Sequence, residues 1–161
     1  MKELGGLAMS FPDYDPGERP WNRLPSFNSH ARNKSSMTLD FSYPEGRETF
    51  LKLVEVADVL VENNVPETLE RPRLTYPELS AVNPALIMLR MPAYGLDGPY
   101  KNYRSFGTHM ECMTGHHYLR GYPDMDPSMT GDAFTADAAA GVMGAFAVTL
   151  ALRYRRRTGK G

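Results

Sequence analysis

The chain has 161 residues, enough for one domain that buries about 70% of its unfolded surface, and its net charge of −1 excludes a general attraction to nucleic acid. A single cysteine, Cys112, excludes a disulfide framework, and the amino-terminal sequence lacks the apolar core of a secretory signal. Because the longest apolar stretch is shorter than the roughly 20 residues of a membrane span, we expect a cytoplasmic protein without a membrane or nucleic-acid partner.

Residues 1–30 are rich in Pro, Gly, Asp and Asn and show neither a strand nor a helix period. They predict an irregular amino-terminal arm, followed by an ordered domain over residues 31–161. Ser42 and Glu45 have the spacing of a capping box, with Pro44 in the first turn, and predict the start of the first helix of that domain.

Two short apolar runs predict buried strands. The first is "DVLVEN", and the second is "ALIMLRM", from Ala85 to Met91. Between them, Thr75 and Glu78 form a second capping box that predicts a helix over "TYPELSAVN". A helical crossover returns the chain in the same direction, so the sequence predicts an α/β fold with a parallel sheet and flanking helices.

Two loops follow the carboxyl ends of the predicted strands, "ENNVPE" and "PAYGLDGPY", the latter with turns at Gly95 and Gly98. Ligands of open α/β sheets bind beyond these strand ends. Both loops are therefore predicted to border a ligand site, whose glycine-loop N–H groups are candidate oxyanion donors.

The histidines and the cysteine are weak candidates for chemistry. His109 and His116 would share one helix face if the segment around them were a single helix, and Cys112 precedes His116 by one turn. No further ligand has suitable spacing, so we predict no metal site. A lone cysteine is more often a buried apolar residue.

The last predicted helix opens with one acid, Asp137, followed by small residues. Asp137 is either a cap at the helix start or a carboxylate with open space beside it for a substrate. The apolar remainder of the helix is predicted to be core. The arginines of "RYRRRTGKG" complement the helix dipole, and Gly159 suits the position after the helix end.

Several ordered blocks resemble the class III CoA-transferases, which include formyl-CoA transferase, L-carnitine CoA-transferase and the bile-acid-inducible protein F type. These blocks are "ARNKSSMTLDF", "PEGRETFLKLVEVADVLVENN", "LSAVNPALIMLRMPAYGLDGPY", "DAAAG" and "RRRTGKG". The resemblance implies a partial Rossmann-like large domain that transfers CoA from an acyl-CoA to a carboxylic acid. It also implies a homodimer at full length and no permanently bound cofactor, because the CoA thioester is a substrate.

The resemblance assigns the nucleophile to Asp137, which would carry an aspartyl-CoA intermediate. It assigns CoA contacts to five residues: Arg32, Lys34, Asn63, Asn64 and Arg104. Asn64 replaces an aromatic residue of the family pattern. Members of the family are typically more than twice as long as this chain, so we expect a piece of such an enzyme that is inactive in isolation.

Two other functions stay open at this point. One is an acyl-CoA racemase of the same fold, whose family pattern puts a proton-carrying histidine at the position of Phe106; His109 lies three residues further on. The other is a non-catalytic CoA-binding or interaction fragment.

Overall fold

The computed structural model describes residues 11–129 and 135–161, which divide into two compact units, up to Leu39 and from Asp40 onward. In the first unit, the predicted irregular arm contains helices α1 (Pro20–Arg23) and α2 (Pro25–Ala31). Each begins with a proline, whose fixed φ suits the first helical position. The side chain of Arg23 also donates to the carbonyls of Pro12 and Asp15, at 3.3 and 3.1 Å.

The second unit is a mixed α/β structure. Strands β1 (Val59–Glu62) and β2 (Ile87–Arg90) pair in parallel, with Val59 opposite Ile87 and Glu62 opposite Arg90. This confirms the predicted parallel crossover, although β2 is shorter than predicted. The helices of this unit are α3 (Pro44–Val56), α4 (Glu67–Glu70), α5 (Tyr76–Val82), α6 (Gly107–Met113), α7 (His116–Leu119) and α8 (Thr135–Thr158).

One of the two predicted capping boxes forms. The Glu78 carboxylate accepts hydrogen bonds from the Thr75 N–H and hydroxyl, at 2.9 and 2.6 Å, at the start of α5. The box predicted for Ser42 and Glu45 is wrong, because α3 begins at Pro44 with Tyr43 as its capping residue. Ser42 instead donates its N–H and its hydroxyl to the Asp40 carboxylate.

The core lies between the sheet and helices α3, α4 and α5, and its buried members are Val54, Leu69, Leu74, Leu79 and Leu86. Met88 packs against this core, whereas the next residue, Leu89, contacts Gly144 of α8. Consecutive residues of a strand face opposite sides of the sheet. Helix α8 therefore covers the face opposite to the core.

The carboxyl end of α8 is tied to the amino ends of both strands. Arg155 donates to the carbonyls of Asp58 and Ala85 at 3.2 and 3.0 Å, and pairs with the Asp58 carboxylate at 2.7 Å. Gly159 has φ of 76° and donates its N–H to the Arg155 carbonyl, which confirms the predicted helix end. The arginine run of this last turn complements the dipole, as predicted.

Helix α8 is much longer than the strands it covers. From Asp137 to Arg155 it rises about 27 Å, whereas a strand of four residues spans about 13 Å. Because α8 is anchored at the amino ends of the strands, its first turn extends past their carboxyl ends. The packing of α8 thus brings Asp137 to the sheet edge where ligands of this fold class bind.

The prediction that the apolar remainder of α8 is core is wrong for this chain. Gly144 is its buried residue in the described part, and a stripe at four-residue spacing is exposed: Val142, Phe146, Leu150 and Tyr154. By length and composition α8 could also cross a membrane. In the structure it is instead held on the sheet through Gly144 and Arg155.

Two glycines of α8 have opposite surroundings and give a matched test. A Cβ at Gly144 would lie 3.0 Å from Leu89 Cδ2 and Met91 Sδ, whereas a Cβ at Gly141 would meet no atom within 4 Å. We expect Gly144→Leu to lower the free energy of unfolding by about 1–3 kcal/mol because it overpacks this contact. Gly141→Leu should raise it by up to about 1 kcal/mol through helix propensity.

Urea unfolding of the two variants, followed by circular dichroism, measures both effects. Equal changes at the two positions would contradict the packing of α8 on β2.

Candidate active site

The two strands end in a buried ion pair. Arg90 Nε donates to Glu62 Oε1 at 2.6 Å, and Glu62 Oε2 accepts the Asn64 N–H at 2.7 Å. Glu62 is 8% exposed. The Glu62 carboxylate therefore binds both the carboxyl end of β2, through Arg90, and the loop after β1, through Asn64. Sequence reasoning missed this pair, although a charged residue closing each apolar strand was a visible signal.

A cleft of about 320 Å³ opens beyond these strand ends. It brings together three of the predicted CoA contacts, Asn63, Asn64 and Arg104, all exposed. The remaining lining residues are Val65, Thr68, Ala93, Tyr103 and Ser105. The cleft thus combines amide and guanidinium donors with apolar lining residues such as Val65 and Ala93. This combination suits a ligand that has both polar and apolar parts, such as a nucleotide-linked molecule.

The glycine loop after β2 forms turns, as predicted. Gly95 and Gly98 have φ values of 83° and 88°, a region that disfavours side chains, and a Cβ at either would meet no atom within 4 Å. Their backbone conformation, not crowding, requires glycine. The Gly95 N–H donates to the Pro92 carbonyl at 3.1 Å, so it is already bound within the turn and unavailable as an oxyanion donor.

Three tyrosines from the same loop form an aromatic cluster, which the sequence analysis did not single out. The ring centroids of Tyr94, Tyr100 and Tyr103 lie 5.2–6.3 Å apart, and Tyr103 also lines the cleft. The cluster supplies exposed ring surface at the cleft, where Asn64 replaces an aromatic residue of the family pattern.

The two remaining predicted CoA contacts lie in the first unit. Lys34 donates its ammonium group to the carbonyl of His30 in α2. Arg32 follows the end of the same helix and is exposed.

Asp137 lies in the first turn of α8, two residues after the helix begins at Thr135, and is therefore not its N-cap residue. Its carboxylate lies against Gly107, the buried first residue of α6. A Cβ at Gly107 would be 2.8 Å from Asp137 Oδ2. Asp137 and Ala138, Ala139, Ala140 and Gly141 after it are exposed, so the space expected beside this carboxylate is open.

A second acid, Glu111 of α6, holds the same turn and was missed by sequence reasoning. It is 3% exposed and accepts the Ala136 N–H at 2.9 Å and Arg120 Nη1 at 3.0 Å, with His116 Nδ1 at 3.6 Å. The Ala136 hydrogen bond, assisted by Arg120 and His116, lowers the pKa of the Glu111 carboxyl below its ordinary value despite burial. Glu111 is therefore ionised at neutral pH.

The histidine segment is broken into two helices. Gly115 has φ of 75° and separates α6 from α7, so His109 and His116 do not share a helix face. His109 Nδ1 accepts the Phe106 N–H at 3.1 Å, which makes its imidazole a cap of α6. Cys112 is exposed, contrary to the expectation of a buried apolar residue. Among residues 11–129 and 135–161, no three His, Cys, Asp or Glu side chains are grouped as a metal site requires.

Comparison with known proteins decides the family. The model of CoA-transferase family III matches residues 14–161. The chain belongs to this family. It is 42% identical over 133 residues to the succinyl-CoA–L-malate CoA-transferase alpha subunit of Chloroflexus aurantiacus, covering 83% of this chain and 31% of the relative. It is 35% identical over 135 residues to the acetyl-CoA:oxalate CoA-transferase of Acetobacter aceti, covering 84% of this chain and 35% of that relative.

The fold comparison agrees. A crystal structure of a CAIB/BAIF family protein from Brucella suis aligns with a TM-score of 0.72 at 38% identity, covering 80% of this chain and 34% of that one. The α/β unit is thus a partial domain of this family's fold. The chain spans about a third of the length of the relatives it matches.

The buried pair at the strand ends gives a second prediction. Arg90→Ala should lower the free energy of unfolding by about 3 kcal/mol, because it leaves the buried Glu62 carboxylate uncompensated. The matched control is Arg71→Ala, which removes an ion pair of the same kind with Glu67 whose side chains are 78% and 42% exposed. That change should cost less than about 1 kcal/mol. Denaturant titration of both variants checks the difference, and equal losses would contradict the structural role of the Glu62–Arg90 pair.

Proposed function

We propose that this chain carries the nucleophile and part of the CoA site of an enzyme that transfers CoA from an acyl-CoA to a carboxylic acid. The observation that carries the proposal is the position of Asp137, an exposed carboxylate with open space beside it at the carboxyl edge of the sheet. Family membership supports the reaction class, and the cleft with Asn63 and Arg104 supports the ligand.

The first half of the proposed reaction transfers CoA to the protein. The Asp137 carboxylate attacks the thioester carbonyl of the acyl-CoA, and the C–S bond breaks to give a mixed anhydride and CoA thiolate. The thiolate then attacks the Asp137 carbonyl of the anhydride. The donor acid leaves as a carboxylate, and an aspartyl-CoA thioester remains on the chain.

The second half repeats these steps in reverse. The acceptor carboxylate attacks the aspartyl thioester and releases CoA thiolate, which forms a second mixed anhydride. The thiolate then attacks the acyl carbonyl derived from the acceptor, forming the new acyl-CoA and restoring Asp137. Every step exchanges one carbonyl substituent for another, so water is neither needed nor consumed.

The proposed CoA contacts follow the polar groups available. Arg104 supplies a guanidinium for phosphate oxygens, and the side-chain amides of Asn63 and Asn64 supply donors at the same cleft. Arg32 and Lys34 are the proposed phosphate contacts of the first unit. Small acids as donor and acceptor are consistent with the names of the relatives, which carry succinyl, malate, acetyl and oxalate groups. A homodimer and a cytoplasmic location remain predictions for the full-length protein.

The test of Asp137 uses the protein at its full natural length, incubated with an acyl-CoA and analysed by mass spectrometry. We expect a covalent CoA adduct on the peptide that contains Asp137, converted by hydroxylamine to an aspartyl hydroxamate. Asp137→Asn should abolish both adduct and transfer, because an amide cannot attack the thioester. The matched control is Glu55→Gln, an exposed acid near the carboxyl end of α3, which should keep both.

Four outcomes would overturn the proposal. Transfer that survives Asp137→Ala, or an adduct on Asp132, which lies outside the described residues, would reassign the nucleophile. Deuterium exchange at C2 of a 2-methylacyl-CoA that depends on His109, without CoA transfer, would support the racemase. CoA binding by the full-length protein with no turnover would support a non-catalytic role.

A further inference from the structure

Helix α6 contacts two consecutive residues in the first turn of α8, Ala136 and Asp137. Gly107 lies against the Asp137 carboxylate, and Glu111, four residues later on the same face of α6, accepts the Ala136 N–H. Helix α6 therefore contacts α8 beside the nucleophile of the proposed mechanism through one close backbone approach and one half-buried hydrogen bond.

Glu111 is itself fixed. Its side chain is 4% exposed, and its second oxygen faces Arg120 at 3.0 Å and His116 at 3.6 Å. A buried carboxylate is stable only when its oxygens are paired, so the Arg120 guanidinium and the His116 imidazole compensate for the lost hydration of Glu111. His116 and Arg120 follow the left-handed turn at Gly115, which reverses the chain so that they reach back to α6.

A helix cannot satisfy the N–H groups of its own first turn, which are bound by side chains, by water or by a neighbouring element. Here the carboxylate comes from another helix, so it fixes the first turn of α8 relative to α6. We infer that Glu111 is a positioning residue that sets the orientation of Asp137 through the Ala136 N–H. The inference rests on the proposed role of Asp137 as nucleophile.

The consequence is a selective loss of turnover. Without Glu111 the Ala136 N–H loses its acceptor on α6 and is left to water, so Asp137 is no longer held in one orientation. A displacement of about 1 Å at a reacting group costs about 100-fold in rate. The cleft residues Asn63 and Arg104 belong to other segments, so acyl-CoA affinity should stay unchanged.

The experiment compares variants of the full-length protein. We expect Glu111→Ala to lower kcat about 100-fold while the KM for acyl-CoA stays unchanged. Glu111→Gln keeps the length and an acceptor oxygen, and should recover more of kcat than Glu111→Asp, which keeps the charge but is one methylene shorter. Amide hydrogen exchange at Ala136 should accelerate in the Ala variant. Glu55→Ala, on the exposed face of α3, is the control for loss of a helical glutamate.

The outcomes separate this inference from the proposed function. If Asp137→Asn is inactive and folded Glu111→Ala turns over normally, the positioning role is wrong and the nucleophile assignment stands. If Asp137→Asn retains transfer, the proposed function itself fails. Should Glu111→Ala not fold, the order of Gln and Asp decides: an Asp variant as active as or more active than Gln would overturn positioning through the Ala136 hydrogen bond.

Discussion

The close contact between α8 and β2 is the constraint on which the rest of this structure depends. Gly144 lets the helix backbone approach Leu89 and Met91, and Arg155 ties the far end of the helix to the amino ends of both strands. Because α8 is longer than the strands, its first turn extends past the carboxyl ends of β1 and β2. The position of Asp137 therefore depends on the packing of Gly144, which lies about 10 Å further along the helix at about 1.5 Å per residue.

Two buried carboxylates bind backbone N–H groups at the carboxyl edge of the sheet, which the first turn of α8 reaches. Glu62 binds the opposite strand and the loop of the cleft, and Glu111 binds the first turn of the helix that carries Asp137. Each is paired with an arginine, so neither leaves an isolated charge in the interior. Backbone N–H groups that would otherwise be free to reorient are thus held by fixed acceptors, which suits a site where small displacements of a reacting group are costly.

Sequence patterns correctly predicted those structural features that depend on residues close together in the chain. The parallel crossover, the box at Thr75 and Glu78, and the helix end at Gly159 follow from spacing and from residue conformation. The box at Ser42 failed because α3 begins one residue later than it requires, and the Ser42 N–H that Glu45 would bind donates to Asp40 instead. The Glu62–Arg90 and Glu111–Ala136 contacts join residues more than twenty positions apart, so only the folded backbone reveals them. The exposure of the apolar stripe along α8 could not be predicted either, because the composition of a helix does not show which of its faces pack against another part of the protein.

In the proposed function, the cleft at the strand ends and the Asp137 carboxylate form one site. The most direct measurement is a crystal structure of the full-length protein with CoA bound. We predict polar atoms of CoA at Asn63 and Arg104, and the thiol sulfur within van der Waals contact of the Asp137 carboxylate. CoA bound in this cleft with its sulfur directed away from α8, or bound elsewhere on the protein, would contradict the account.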